Sequence, residues 1–338
     1  MDAIVLQQAG KPLGLADIPI PVPAPGEVLI KLEAAALNHR DLWIKQGQYG
    51  QVNYPCVPGS DGSGTVVEAA SDTDQNLLNK AVLINPSLSW GNNRSGPGKD
   101  FQILGVPRQG TFASYICVPA ENVFPLPDGF DFIKSAALPL AGLTAHRALF
   151  YRGDLKAGQN LLITGIGGGV ASFLLGFAVR AGAKVYGTSS SVSKMERSKE
   201  LGALHCVNYK EEEWDSMLKE LVPDGFDLVI DSAGGPGFMK LIGLLKTGGK
   251  LVTFGRTAGN IPEMSPGILF YKQISILGTT MGAPADFSGM LEFIEDHNMR
   301  PVIDKVFRLD EAEEALNYIQ EGHQYGKVVM SIGDKGRE

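Results

Sequence analysis

Cysteine is scarce in this chain. Only Cys56, Cys117 and Cys206 occur in 338 residues, so a structural zinc site of four thiolates cannot be assembled. A dense, even disulfide framework of the kind found in small secreted scaffolds is excluded as well. No basic stretch followed by an apolar run opens the chain, so no signal peptide is expected. The longest apolar runs, such as residues 171–179, are too short to span a bilayer. No Lys/Arg cluster stands out, and 37 acidic against 30 basic side chains leave a net charge of −7. That balance argues against a nucleic-acid partner. Nor is there a Ser/His/Asp order or a nucleophile elbow, which makes a hydrolase a poor reading. A cytoplasmic protein that engages neither nucleic acid nor membrane is expected.

What is present is the composition of a globular protein. Hydrophobic residues make up 44% and charged residues 20% of the chain, values that a disordered chain would not show. The length suits about two domains. Short apolar runs at 3–6, 28–36, 64–69, 81–85 and 113–118 are separated by turn clusters such as the four-proline stretch 19–26, the pattern of a β-barrel or sandwich. Residues 87–110 are rich in Gly, Asn, Ser and Pro and read as a long surface lobe. Beyond residue 129 the pattern changes. Helical spacing at 135–151 is followed by strands at 160–165, 184–188, 206–209, 227–231, 250–255 and 274–278. Helices at 170–181, 194–201 and 211–221 fall between them. Ser193 and Glu196 have the spacing of a capping box for the second of these helices. Such alternation describes an α/β doubly wound parallel sheet. The tail adds a helix at 287–297, a second helix from an Asp310 cap to a Gly322 stop, and a strand at 327–332. The expected division is residues 1–124 with 279–338 as one domain and 125–278 as the other.

Residues 161–171 read Leu-Leu-Ile-Thr-Gly-Ile-Gly-Gly-Gly-Val-Ala. An apolar strand runs into a glycine cluster that opens an apolar helix, the context a dinucleotide fingerprint requires. The strict G-x-G-x-x-G frame fails at Val170. A shifted frame, Gly165-x-x-Gly168-x-x-Ala171, fits, and it makes Gly165, Gly168, Gly169 and Val170 the candidates to meet a pyrophosphate at a helix N-terminus. The alternative is a glycine turn without a ligand. An NAD site usually carries an acidic residue about 20 residues on, yet no acid follows until Glu196. Ser189, Ser190 and Lys194 suit a 2′-phosphate instead, which favours NADPH. The alternative for Lys194 is an exposed lysine in a first helical turn.

Several motifs together carry a family resemblance over nearly the whole chain. Asn38-His39-Arg40-Asp41-Leu42 resembles an N-x-x-D segment, and Pro58-Gly59-Ser60-Asp61-Gly62-Ser63-Gly64 a P-G-x-D/E-x-x-G turn. Leu138-Pro139-Leu140-Ala141-Gly142-Leu143-Thr144-Ala145 resembles an L-P-x-x-x-x-T-A helix start, and 187–194 and 202–209 resemble the G-T…K and G-A…N-Y segments. These are motifs of the medium-chain dehydrogenase/reductase superfamily, and the chain resembles its zinc-free, quinone-oxidoreductase-like branch. The resemblance implies a GroES-like β-barrel catalytic domain, a Rossmann NADP-binding domain and a cleft between them. It adds Asn38, Thr144, Tyr209, Ser232, Phe254 and Gly255 to the cofactor contacts. It implies a homodimer paired through the strand 274–278, whose exposed edge also invites pairing.

Zinc enzymes of the superfamily bind catalytic metal through Cys, His and Cys. By motif, those places are Asn38, Ser60 and Leu140 here, and leucine cannot ligate a metal. The stretch 92–99, where relatives carry four cysteines, has none, so neither zinc is expected. Without a Lewis acid, charge growing on an acceptor oxygen needs another outlet. A conjugated acceptor such as a quinone or an α,β-unsaturated carbonyl supplies one by delocalisation. Candidate catalytic residues are Asn38, Tyr49, Tyr54 and Ser60. Asn38 could instead brace its own loop, and the tyrosines could be ordinary packing. Trp43 and Trp90 could wall the cleft or be core. Asp41 is expected to fix the Asn38 segment, and Asp61 to pair with a cation. The five histidines are read as structural, with His39 the one near enough to Asn38 to matter. Cys56 is either a reactive thiol or, more commonly, a buried inert one. An aldehyde reductase or alcohol dehydrogenase, and an NADPH-binding protein with little turnover, are the alternatives.

Overall fold

A computed structural model describes residues 1–333. The chain forms two compact units. One comprises Met1–Leu143 and the segment from Gly282 onward, and the other Thr144–Met281.

The first unit is built on antiparallel strands. β1 (Asp2–Val5) and β2 (Gly14–Asp17) form a ribbon. The main sheet contains β3 (Glu27–Ala36), β4 (Asp61–Ala69), β5 (Ala81–Ile84), β8 (Tyr115–Pro119), β9 (Val123–Pro125), β16 (Ile303–Arg308) and β17 (Lys327–Ser331). Its order is β16-β17-β3-β4-β5-β9, and β8 also pairs with β3. At ten residues, β3 is long enough to hold β8 along Glu27–Lys31 and β17 along its last three residues. Alternation along β3 and its neighbours buries Val28, Ile30, Leu32, Val66, Ile116 and Val118 in one core with Phe112. Helix α1 (His39–Lys45) follows β3 directly. Helices α2 (Phe132–Ala136), α9 (Pro284–Asp296) and α10 (Ala312–Gln320) complete the unit. Helix α3 (Pro139–His146) carries the chain from the first unit into the second.

The stretch read as a surface lobe is anchored more firmly than its composition suggests. It holds a small ribbon, β6 (Ser87–Leu88) with β7 (Gln102–Ile103). Trp90 and Leu104 are buried, and Trp90 packs edge-on against Phe101. Arg94 donates from Nε (3.0 Å) and Nη2 (2.8 Å) to the fully buried carboxylate of Asp286 on α9.

The second unit is a six-stranded parallel sheet. Its strands are β10 (Asn160–Ile163), β11 (Lys184–Ser189), β12 (His205–Asn208), β13 (Phe226–Asp231), β14 (Leu245–Thr253) and β15 (Ser275–Gly278). The order β12-β11-β10-β13-β14-β15 reverses between β10 and β13, which is the switch point of a doubly wound fold. The central strands are continuous apolar runs because both faces are covered. Leu161–Ile163, Leu228–Ile230 and Leu251–Val252 are all buried. Helices α4 (Gly169–Arg180), α5 (Val192–Glu200), α6 (Trp214–Leu221), α7 (Phe238–Leu244) and α8 (Pro266–Lys272) fill the connections.

Two caps differ from the expectation. α5 begins at Val192, and Ser191, not Ser193, accepts the Lys194 N–H. The Ser193 hydroxyl lies instead 2.9 Å from that of Ser191. Asp310 does not cap α10, because a 3₁₀ turn at Leu309–Glu311 precedes it and Asp310 pairs with Arg308. Among the described residues no helix is long and apolar enough to cross a membrane.

Candidate active site

Sheet register gathers the first group of site residues. β3 runs antiparallel to both β4 and β17, with Ala36 opposite Asp61 on one side and Val329 on the other. The end of β3 and the starts of β4 and β17 therefore meet. Asn38 lies just past β3, Asp61 opens β4 and Lys327 opens β17. All three are buried, Asp61 completely.

Their hydrogen bonds form one network. Lys327 Nζ donates to the Leu37 carbonyl (2.8 Å), to Asn38 Oδ1 (2.7 Å) and to Asp61 Oδ2 (3.0 Å). Asn38 Nδ2 donates to Asp61 Oδ2 at 2.9 Å. The other carboxylate oxygen of Asp61 accepts the Leu140 backbone N–H at 2.8 Å. Asp41 Oδ2 accepts the Asn38 backbone N–H at 2.8 Å, so Asp41 does fix the Asn38 segment. Burial pushes the Asp41 carboxyl up to about 6. Arg40 and the Asn38 N–H pull it down, Asp61 adds to the rise, and Lys327 opposes it. Its Oδ1 has no hydrogen-bond partner among the described residues.

A second cation lies beside the first. Arg40 is buried and donates from Nη1 to Ser60 Oγ and to the Leu104 carbonyl (2.7 Å). Ser60 donates to the same carbonyl at 2.7 Å. The Arg40 guanidinium sits 4.6 Å from the Tyr49 ring centre, a cation–π contact. Gly59 makes the turn into Ser60 possible. Its φ is +99°, and a Cβ there would lie 2.4 Å from the Phe112 ring. Tyr54 is half-buried, and its hydroxyl donates to the Ile44 carbonyl at 3.1 Å. Of the four candidates, Asn38, Ser60 and Tyr49 are thus linked to buried cations, whereas Tyr54 turns to backbone. Trp43 packs edge-on against His39, whose partly buried ring is held below its usual pKa. Burial raises the thiols of Cys56, Cys117 and Cys206 to about 11, which leaves them in the unreactive protonated form.

In the second unit the candidate cofactor residues share one sheet edge. Gly165, Gly168, Gly169 and Val170 follow β10, Ser189 ends β11, Ser190 follows it, and Tyr209 follows β12. Ser232 follows β13, and Phe254 and Gly255 follow β14. All therefore lie at the carboxyl ends of the strands, where doubly wound sheets bind ligands. Gly165 (φ +61°) and Gly167 (φ +118°) take conformations reserved for glycine. Gly168 caps α4 without a side chain, so the first N–H groups of that helix meet no capping side chain of Gly168. A Cβ on Gly255 would lie 2.2 Å from the Ser232 carbonyl oxygen, so the two loops approach as only glycine allows. Buried Asp231 ties this edge together through Thr164 Oγ1 (2.9 Å) and the Gly234 N–H (2.8 Å). Past β11, the Tyr209 hydroxyl donates to Ser190 Oγ at 3.2 Å, and Lys194 stands in the first turn of α5. No carboxylate occurs between Ser189 and Lys194. Thr144 is buried on α3. This cradle fits a nicotinamide dinucleotide.

Residues 24–128 match the family described as alcohol dehydrogenase GroES-like domain, and residues 169–296 match zinc-binding dehydrogenase. The zinc-type alcohol dehydrogenase-like protein YogA of Leptosphaeria maculans is 39% identical over 340 aligned residues, 95% of each chain. The chain belongs to the medium-chain dehydrogenase/reductase superfamily. A crystal structure of an NAD-dependent alcohol dehydrogenase is 34% identical with a TM-score of 0.91, covering 98% of this chain and 100% of that one. The structure of mycobacterial Rv1454c complexed with NADPH is 26% identical with a TM-score of 0.84, covering 98% and 99%. This member is accordingly an oxidoreductase of the alcohol dehydrogenase-like kind, from a family that binds nicotinamide cofactors, with a GroES-like unit and a Rossmann sheet.

The zinc in those family names does not fit the residues present here. At the three motif places, Leu140 offers no donor atom, Ser60 is bonded to Arg40, and Asn38 Oδ1 accepts from an ammonium. Among the described residues, no group of three or more His, Cys, Asp or Glu side chains is arranged to hold a metal. Neither Arg40 nor Lys327 was assigned a role from sequence. Lys327 left one trace, a lone charge at the head of an apolar strand.

Proposed function

We propose that this chain is an NADPH-dependent reductase that delivers hydride to a quinone or an α,β-unsaturated carbonyl without a catalytic zinc. The observation that carries this reading is that two of the three metal-ligand places hold residues already bonded to buried protein cations, Asn38 to Lys327 and Ser60 to Arg40, while the third, Leu140, has no donor atom in its side chain. Two cations are held in place by the fold, but neither is an open Lewis acid. Negative charge on the acceptor oxygen must then be spread by conjugation and met by neutral donors. Asn38 is such a donor, because its second Nδ2 proton has no partner among the described residues. The hydroxyl protons of Ser60 and Tyr54 are committed to the Leu104 and Ile44 carbonyls. Tyr49, held by Arg40, offers a flat aromatic face on which a planar acceptor can stack.

A bound NADPH supplies a hydride from C4 of its nicotinamide. The glycine turn and the start of α4 suit its pyrophosphate. Ser189, Ser190, Lys194 and Tyr209 suit a 2′-phosphate, and Ser232, Phe254 and Gly255 the nicotinamide half. With an enone as acceptor, that hydride would go to the β-carbon and a proton from solvent to the α-carbon, leaving the cofactor oxidised. NADPH deuterated at C4 tests this: deuterium on the product's β-carbon supports the reading, and deuterium on the carbonyl carbon refutes it. Reduction of simple aldehydes or oxidation of alcohols is the second reading, favoured by relatives described as zinc-type and NAD-dependent alcohol dehydrogenases. Assembly into a homodimer through the outer edge of β15, the last strand of its sheet, belongs to the same proposal. Light scattering checks it, and a monomer mass would overturn it.

A further inference from the structure

We propose that Lys327 is a positioning residue: together with Asp61 it locks the Asn38 carboxamide in one polarity and reserves its second N–H for a ligand. This rests on the acceptor-binding role proposed above for Asn38.

Four observations carry the inference. First, Asn38 is the N-cap of α1, where an asparagine side chain ordinarily accepts from the N2 or N3 backbone N–H. Here the N3 N–H, that of Asp41, bonds instead to the Asn38 backbone carbonyl at 2.9 Å, and the Asn38 side chain bonds to Asp61 and Lys327. Its own backbone N–H is satisfied by Asp41, so the carboxamide is released from duty on the helix. Second, its two ends face partners of opposite and unambiguous chemistry. Oδ1 meets an ammonium, which can only donate, and Nδ2 meets a carboxylate, which can only accept while ionised. Rotating the amide by half a turn would set NH₂ against NH₃⁺ and oxygen against carboxylate. Both charge-assisted bonds would be lost between buried side chains. Third, the three protons of Lys327 are committed to Leu37, Asn38 and Asp61. The lysine therefore acts through Asn38 and not as a proton donor. Fourth, Asp61 is itself held by the Leu140 N–H, so the clamp is braced from a second element.

The test uses the full chain saturated with NADPH and four variants: Asn38→Ala, Lys327→Met, the double variant, and Asp61→Asn. Asp61→Asn keeps an oxygen for the Leu140 N–H and serves in place of Lys327→Met if that variant does not fold. Expected is a loss of about 10- to 100-fold in kcat with the conjugated acceptor for Lys327→Met. In the Asn38→Ala background the same change should cost less than about twofold, and the NADPH dissociation constant of the single variant Lys327→Met should stay within about twofold of wild type. Additive losses, or a cofactor affinity that falls with kcat, would overturn the proposal. An independent readout is the side-chain amide signal of Asn38 in protein labelled with ¹⁵N-asparagine, assigned by its loss in Asn38→Ala. One sharp pair of protons in wild type that becomes two sets in Lys327→Met supports the clamp. The same single pair in both overturns it. If no conjugated acceptor is reduced but the amide behaves as expected, the positioning stands and the proposed function fails.

Discussion

Replacing Asp41 by asparagine should flatten part of the pH dependence of stability. The Asp41 carboxyl is buried, and burial lifts it to about 6 from an ordinary value of 3.8. Its Oδ2 accepts the Asn38 N–H, but Oδ1 has no partner among the described residues. Because the folded value lies above the unfolded one, the folded chain retains a proton that the unfolded chain has already released. Stability from this group is therefore complete below about pH 4 and is lost as the pH rises through about 6. A rise of roughly two units corresponds to about 3 kcal/mol, as an order of magnitude. Asparagine cannot ionise and keeps an oxygen for the Asn38 N–H. The stability of Asp41→Asn minus that of wild type should therefore grow by about 3 kcal/mol between about pH 4 and pH 8. Urea unfolding of the cofactor-free proteins, followed by tryptophan fluorescence at several pH values, measures this difference and cancels groups common to both chains. A difference that is constant within about 1 kcal/mol, or that shrinks as pH rises, would refute the reasoning.

Three further outcomes are expected. Lys194→Ala should weaken NADPH binding by roughly tenfold, the equivalent of one charge-assisted contact, and leave the NADH dissociation constant within about twofold. Equal losses for both cofactors in a fluorescence titration would count against a 2′-phosphate site there. Gly255→Ala places a methyl group 2.2 Å from the Ser232 carbonyl oxygen and should cost about 1–3 kcal/mol, seen as a lower Tm and weaker cofactor binding. Arg94→Met removes two bonds to the buried Asp286 carboxylate and should cost about 1–3 kcal/mol, less than a fully buried pair because Arg94 is half exposed. An unchanged Tm in calorimetry would show that this ion pair does not anchor the lobe.

The parallel sheet was readable because its signals are local. Apolar runs of strand length alternate with helical spacing, and the glycine cluster sits at the one junction that a dinucleotide site requires. Strands β10 to β13 lie within one or two residues of where the pattern puts them. β16 and α8 were missed for local reasons too. Ile303–Arg308 mixes Lys, Asp and Arg into a strand with little burial, and Pro266–Lys272 has no buried residue to mark a face. The domain division by composition put α2 with the sheet, whereas its contacts group it with the first unit, against β3 and β4. The caps went astray because several serines and acids compete within two residues, and only packing selects among them. At the site, the roles of Asp41 and Asp61 followed from charge and spacing. The clamp did not, because Lys327 lies 289 residues from Asn38. Only the antiparallel register of β17 on β3 brings the two together. Arg40 was in plain sight within the Asn38 motif, but its partner Ser60 is reached through the turn at Gly59.

The most direct test of the account is NADPH oxidation by chelator-treated protein, with an ortho-quinone, an enone and a simple aldehyde assayed in parallel. Saturable turnover of the quinone or the enone, undiminished by the chelator and with no activity toward the aldehyde, is the predicted result. Aldehyde reduction that appears only when zinc is restored would contradict it.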